Sequence, residues 1–204
     1  MEKRHCIGDG NCVACTNDAD CSAPEQCTIS KCVSNACVST PAADFAKCTL
    51  SGSGNGMCSE GMCQRLVAIR SGIEENADAP YIGALPANPQ LAANGRTIGP
   101  YETFLQVGAA GNTYAFRSYE TKRFITIHAD GFVYADGGTT AATATRFEVT
   151  GSYIRLTDGS GAYLQCPPRN NGSIHSGKLE RQSPAKPPSF WEQLPIEPGT
   201  WTER

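Results

Sequence analysis

The chain has 204 residues, a formal net charge of −3 and eleven cysteines. No apolar run approaches the ~18 residues that a membrane-spanning helix needs. Residues 1–63 carry four Lys/Arg against seven Asp/Glu, and residues 64–204 carry thirteen of each. Neither part holds the basic stripe that tracks phosphates, so a nucleic-acid partner is not expected. Ten of the eleven cysteines lie between Cys6 and Cys63, whereas of the seven Phe, seven Tyr and two Trp only Phe45 precedes residue 64. One part has the cross-links and the other the material for a core. Two modules are expected, residues 1–63 and 65–195, followed by a short tail at 196–204.

The first module is expected to be held by disulfides through Cys6, Cys12, Cys15, Cys21, Cys27, Cys32, Cys37, Cys48, Cys58 and Cys63. This density is well above the ~8–10% that marks a disulfide scaffold. With Val13, Ile29, Leu50 and little else apolar, the segment cannot bury enough surface to offset chain entropy. Disulfides supply the deficit by restricting the unfolded chain, at about 2–4 kcal/mol each. Spacing does not set their connectivity. Zinc is the rival reading, but only Cys12-Val-Ala-Cys15 has a knuckle-like gap, and no second such pair follows. No metal is therefore expected, and an oxidising, extracellular address is. Residues 1–5 are not followed by the apolar stretch of a signal peptide, so a leader removed beforehand is expected. The run Asp20-Cys21-Ser22-Ala23-Pro24, with Cys27, Lys31-Cys32-Val33, Asn35-Ala36-Cys37, Cys48 and Gly61-Met62-Cys63, resembles the Cys-rich repeats of secreted bacterial proteins. That resemblance implies an extracellular protein and no catalytic activity.

From residue 65 onward one plan recurs three times. A strand opens each copy: Leu66 to Ser71, Tyr114 to Ser118, then Tyr153 to Thr157. A second strand follows at residues 80–83, 123–126 and 162–165, and a third piece at 91–94, 132–135 and, less regularly, 173–175. The copies close on Phe104, Phe147 and Leu194, spaced 43 and 47 residues apart. Short strands in period two, broken by Gly, Asn, Asp and Pro, predict an all-β domain without helices. Three copies of about 45 residues predict a β-trefoil, a closed barrel capped by hairpins, since a propeller needs at least about four blades. The inward set is expected to be Val67, Ile69, Ile82, Leu91, Phe104, Phe116, Ile125, Phe147, Leu156, Leu164 and Leu194.

The repeats carry a second resemblance. Asn94-Gly95-Arg96-Thr97-Ile98-Gly99-Pro100-Tyr101-Glu102-Thr103-Phe104 is similar to the Asn-Arg-x-x-Ile-Gly-x-Trp-Glu-x-Phe signature of fascin-like trefoils, with Gly95 inserted and Tyr101 in place of Trp. Phe116-Arg117-Ser118-Tyr119, Arg123-Phe124-Ile125-Thr126-Ile127-His128, Asp130-Gly131-Phe132-Val133-Tyr134-Ala135-Asp136 and Ala144-Thr145-Arg146-Phe147 resemble the trefoil modules that bind arabinose side chains in arabinofuranosidases. The resemblance implies sugar binding and matches His128 and Asp136 to the family's His and Asp. The family's acid before the closing Ala-Thr-Phe is absent here, so arabinose itself is not implied. The Gln-x-Trp motif of ricin-type lectins does not occur.

No catalytic constellation is legible. There is no His-Glu-x-x-His, no Gly-x-Ser-x-Gly and no phosphate-cradling glycine loop opening a helix. Cys166 reads as a small buried residue and a free thiol rather than a partner of His175. Asp130 and Asp136 read as hairpin residues rather than glycosidase carboxylates. Residues 184–188 form a Pro-rich loop, and Trp201 is expected to pack back onto the protein. A sugar site needs a ring face and turn-fixed polar groups. The second repeat offers the fullest set: Tyr119, Phe124, His128, Asp130, Tyr134 and Asp136. The expectation is a secreted, non-catalytic protein that binds carbohydrate, a polysaccharide or cell-surface glycan, without a cofactor. An extracellular-protein binder using loops around residues 73–87 or 182–189 is the alternative. Actin bundling by the fascin resemblance ranks below both.

Overall fold

The computed structural model describes residues 5–7, 11–51, 54–71, 81–85, 87–108, 111–150, 153–165, 177–178, 180–182 and 191–196. The expectations for Cys166, residues 173–175, residues 184–188 and Trp201 lie outside the described residues. Most of the chain is strand. The helical pieces among the described residues are the three-residue 3-10 turns Asp18–Asp20, Pro100–Glu102 and Ala141–Thr143. No helix among them is long and apolar enough to cross a membrane. The chain divides into two units, Met1–Cys63 and Gln64–Arg204.

The first unit contains β1 (His5–Ile7), β2 (Asn11–Val13), β3 (Thr28–Val33), β4 (Ala36–Pro41), β5 (Lys47–Leu50) and β6 (Gly54–Ser59). They pair as antiparallel hairpins β1–β2, β3–β4 and β5–β6. Ser34 and Asn35 join β3 to β4 with φ of 49° and 65°. Two consecutive left-handed residues are what a two-residue turn needs to match strand twist. Before β3, Asn17 Oδ1 accepts the Ala19 N–H at 2.9 Å, and Asp20 Oδ2 accepts the Thr16 N–H at 2.7 Å. Asp18 Oδ1 then accepts the Cys32 N–H at 2.8 Å, which ties this turn to β3.

Four disulfides are present among the described residues: Cys15–Cys32, Cys21–Cys37, Cys27–Cys58 and Cys48–Cys63. Cys6 and Cys12 face each other in the β1–β2 register, but their side chains lie outside the described set. The apolar centre of the unit is itself sulfur: Cys27, Cys48 and Cys58 are buried, with Cys63, Ala42 and Ala46 packed against them.

The second unit comprises β7 (Met62–Ser71) from Gln64 onward, β8 (Tyr81–Leu85), β9 (Asn88–Gly95), β10 (Thr103–Gly108), β11 (Thr113–Ser118), β12 (Thr126–Ile127), β13 (Val133–Tyr134), β14 (Phe147–Thr150), β15 (Tyr153–Leu156), β16 (Tyr163–Gln165), β17 (Gly177–Lys178), β18 (Glu180–Gln182) and β19 (Trp191–Ile196). Its strands form a curled antiparallel sheet in the order β19-β7-β10-β11-β14-β15. Representative registers are Leu194 opposite Ala68, Phe104 opposite Val67 and Tyr114 opposite Phe147. The same sheet continues through the pairs β8–β9, β12–β13 and β16–β18, joined to it by β7–β8, β9–β13 and β15–β16. β13 also meets β9, Tyr134 opposite Gln90.

The core follows the period-two reading. Val67, Ile69, Ile82, Leu91, Phe104, Phe116, Ile125, Phe147, Leu156 and Leu164 fall in one buried cluster, with Ala84, Ala93, Val133, Ala135, Ile154 and Ala162. The side chain of Leu194 lies outside the described set. One predicted strand differs. Residues 123–126 do not form a regular strand: Phe124 makes one isolated bridge to Arg117, and pairing resumes at β12. Adjacent Phe124 and Ile125 are both buried. The segment swivels instead: Ile125 N–H donates to Phe116 O at 2.8 Å, and Phe124 N–H donates to Gly138 O at 3.2 Å.

The turn between β9 and β10 explains the inserted glycine of the first repeat. Glu102 Oε2 accepts the Gly99 N–H at 2.9 Å, and a Cβ on Gly95 would lie 2.5 Å from Glu102 Cγ. Only a residue without a side chain leaves room for that carboxylate to fold back and fasten the turn.

Candidate functional site

The β12–β13 hairpin brings four of the six sequence-predicted residues together. Thr126 pairs with Tyr134 across the hairpin, so His128, two residues beyond Thr126, lies diagonally opposite Tyr134 on the same face. The two rings stack, with centroids 4.0 Å apart and planes 23° apart. Asp136, two residues after Tyr134, also points to this face. Its Oδ1 accepts the Thr126 hydroxyl at 2.8 Å and lies 3.1 Å from His128 Nε2. Asp130 sits in the turn, where Oδ1 accepts the Phe132 N–H and Oδ2 accepts the Tyr134 hydroxyl, each at 2.9 Å. Gly131 closes the turn with φ of 83°, a conformation that favours glycine.

Every ring and carboxylate of this face is thus fixed by a neighbour. The Phe132 amide above all, helped by the Tyr134 hydroxyl and the His128 charge, holds the Asp130 carboxyl below its ordinary value of 3.8 against the opposing effect of desolvation. The same bond to Asp130, with burial, raises the Tyr134 phenol above 10.0. Asp130 stays ionised and Tyr134 stays protonated across the neutral range. The face still meets solvent: the side chains of His128 and Asp136 are 43% and 35% exposed.

The structure takes Phe124 out of the candidate set. Its ring is fully buried, so it offers no face to a sugar. Arg117, itself 3% exposed, covers it with Cζ 5.5 Å from the ring centroid, and Arg117 Nε donates to Lys122 O at 3.0 Å. Tyr119 lies in the turn after β11, with Lys122 Nζ 3.9 Å from its ring centroid. That turn is tied to the end of β13 by Thr121 Oγ1, which donates to Ala135 O at 2.8 Å.

Sequence reasoning missed Thr126, which helps to orient Asp136, and also Gly137. A Cβ on Gly137 would lie 2.5 Å from Thr126 Cγ2 and 2.8 Å from Phe124 O. The backbone oxygen cannot yield as a side-chain end can. Gly137→Ala is therefore expected to push the hairpin off the core and cost about 1–3 kcal/mol. A thermal melt checks it, and a melt unchanged within a degree contradicts it.

Beside the hairpin lies a cleft of about 570 Å³. Ile127, His128 and Ala129 form one wall, Thr143 to Arg146 another, and Leu156 to Asp158 a third. A second cleft, of about 660 Å³, lies in the first unit between Ala23–Thr28 and Thr49–Ser51, with Glu25 as its titratable side chain. Two clusters of sulfur with metal-like spacing, Cys15, Cys21, Cys37 and Cys27, Cys48, Cys63, consist of disulfide-bonded cysteines. Each of these sulfurs is already bonded in a disulfide. No protein-family model matches the chain, and no curated protein is similar to it.

Proposed function

We propose that this is a secreted, non-catalytic carbohydrate-binding protein whose ligand docks on the β12–β13 hairpin and its adjoining cleft. The observation that carries the reading is the His128–Tyr134 stack, locked by Asp130 and Asp136 at 2.9 and 3.1 Å and still open to solvent. A sugar presents an apolar ring face and a rim of hydroxyls. A fixed aromatic platform meets the first, and pre-placed carboxylate and hydroxyl oxygens meet the second with little ordering cost. The fold proposed with it is a β-trefoil of three repeats. In support stand the curled strand order β19-β7-β10-β11-β14-β15 and the strand pairs β8–β9, β12–β13 and β16–β18, one for each repeat. Four disulfides support an oxidising, extracellular address and weigh against cytosolic actin bundling.

The test is a glycan array on the folded protein, followed by titration of the best hit. His128→Ala and Asp136→Ala are each expected to weaken binding by about tenfold or more, the scale of one lost charge-assisted hydrogen bond. Binding that persists unchanged in both variants contradicts the site. One observation favours a second reading, a protein-binding module. Ile29, Val33 and Val38 share one face of β3–β4 and are 46%, 52% and 43% exposed. A blank array with tight capture of one extracellular protein, lost in Val33→Asp, would favour that reading.

A further inference from the structure

Arg146 stands apart from the other described arginines. It lines the cleft beside the hairpin, between Thr145 and the core residue Phe147. Its Nη2 donates to Ala141 O at 2.9 Å, while Nη1 is buried and has no hydrogen-bond partner. Arg155, by contrast, is paired with Glu148 across β14–β15. Among the described residues no carboxylate forms an ion pair with Arg146. Arg146 as a whole is half-buried, but a donor nitrogen buried without a partner is costly and calls for an explanation. Its charge is delocalised over the planar group, so the part that lines the cleft presents positive charge there.

The rest of the cleft fits a sugar rather than a bare ion. Thr143, Thr145 and Thr157 line it together with Ile127 and Leu156, which gives hydroxyls beside apolar patches. Of the cleft's acidic groups only Asp158 is present, and its Oδ1 is engaged by the Ser160 N–H at 2.9 Å and by the Ser160 hydroxyl. Asp130 and Asp136 belong to the hairpin and do not line the cleft.

We infer that the ligand is an acidic saccharide, and that Arg146 receives the carboxylate of a uronic-acid residue in this cleft. The inference rests on the carbohydrate reading above and narrows its ligand class. A guanidinium matches a carboxylate through two parallel N–H···O bonds. Such a pair neutralises the charge that Arg146 brings to the cleft. The hairpin stack then holds a neighbouring ring of the same chain.

The test uses the full-length protein and tetrasaccharides of galacturonic, glucuronic and mannuronic acid. Each is compared with its carboxyl-reduced neutral counterpart, and a sulfated neutral tetrasaccharide is included. Wild type is expected to bind at least one uronate at least tenfold more tightly than its reduced form. Arg146→Met, which keeps the linear stem and removes the donors, is expected to bind both forms alike, at the neutral level. Ala141 O keeps a donor in that variant, the Ala144 N–H at 3.3 Å. Without ligand, Arg146→Met is expected to melt at or above the wild-type temperature. Equal wild-type affinity for acidic and neutral forms overturns the inference and leaves the carbohydrate reading standing. So does tighter binding of the sulfated sugar, or an acid preference that survives in Arg146→Met. A melt lowered by several degrees assigns Arg146 to the fold and overturns the inference as well. Failure of every sugar, acidic or neutral, sinks the carbohydrate reading and the inference together.

Discussion

Replacing Cys27 and Cys58 together by alanine will unfold the first unit and leave the second folded. This bridge spans 31 residues, the longest ring among the described disulfides. By chain entropy a ring of that size restricts the unfolded state by roughly 3.5 kcal/mol. Both sulfurs are also buried, 1% exposed each, at the centre of the unit's apolar cluster. The backbone around them is fastened to the same point: Ala42 N–H donates to Cys27 O, Phe45 N–H donates to Cys58 O, and Cys58 N–H donates to Ala46 O, each at 2.8 Å. No aromatic core remains to hold these strands once the bridge is gone. Hydrogen exchange read by peptide will show residues 20–60 exchanging near the unfolded rate, while β7 to β15 stay protected. Protection in the first unit matching wild type would refute this. Loss of Cys15–Cys32, across a 17-residue ring with an exposed hairpin, will cost less.

The second large effect lies in the other unit. Phe116→Ala will lower its unfolding free energy by about 3–5 kcal/mol, the cost of deleting a fully buried ring from a core that relaxes only in part. Phe116 is 0% exposed, and its ring centroid lies 5.8 Å from that of Phe147. Its carbonyl accepts the Ile125 N–H at 2.8 Å, so the cavity opens where the candidate hairpin is anchored. Phe116→Leu, closer in volume, will cost less than half as much. Urea unfolding followed by tryptophan fluorescence reads this unit alone, because Trp191 and Trp201 both belong to it. A loss below about 1 kcal/mol for Phe116→Ala would mean that the three segments do not share one core.

The parts of the fold that obey a short period were legible in the sequence. Val67 and Ile69 stand two residues apart and fall in one buried cluster with Phe104 and Phe147, while their neighbours Leu66, Ala68 and Leu105 are buried as well. What the period could not carry was closure through space. Phe124 read as a ring available to a ligand, but the swivel after β11 turned it inward beneath Arg117. Arg146 carried no signal of its own in the sequence, yet its side chain folds back toward Ala141 and loses solvent at Nη1. The hairpin residues His128, Asp130, Tyr134 and Asp136 were legible because Asp130-Gly131 marks the turn that sets their register. Disulfide partners were not, because no local rule says which distant sulfur a strand will meet.

The register of β3–β4 has a consequence for how this protein matures. Its two-residue turn sets Cys32 directly opposite Cys37, yet each sulfur is bonded elsewhere, to Cys15 and Cys21. In the reduced chain these two thiols are across-strand neighbours as soon as the hairpin forms, at a position where side chains approach most closely. A short ring that the hairpin itself offers to oxidation is therefore a wrong one. Reaching the final pattern depends on thiol exchange, so the yield of native protein is governed by the redox buffer and isomerase it meets rather than by collapse of an oily interior.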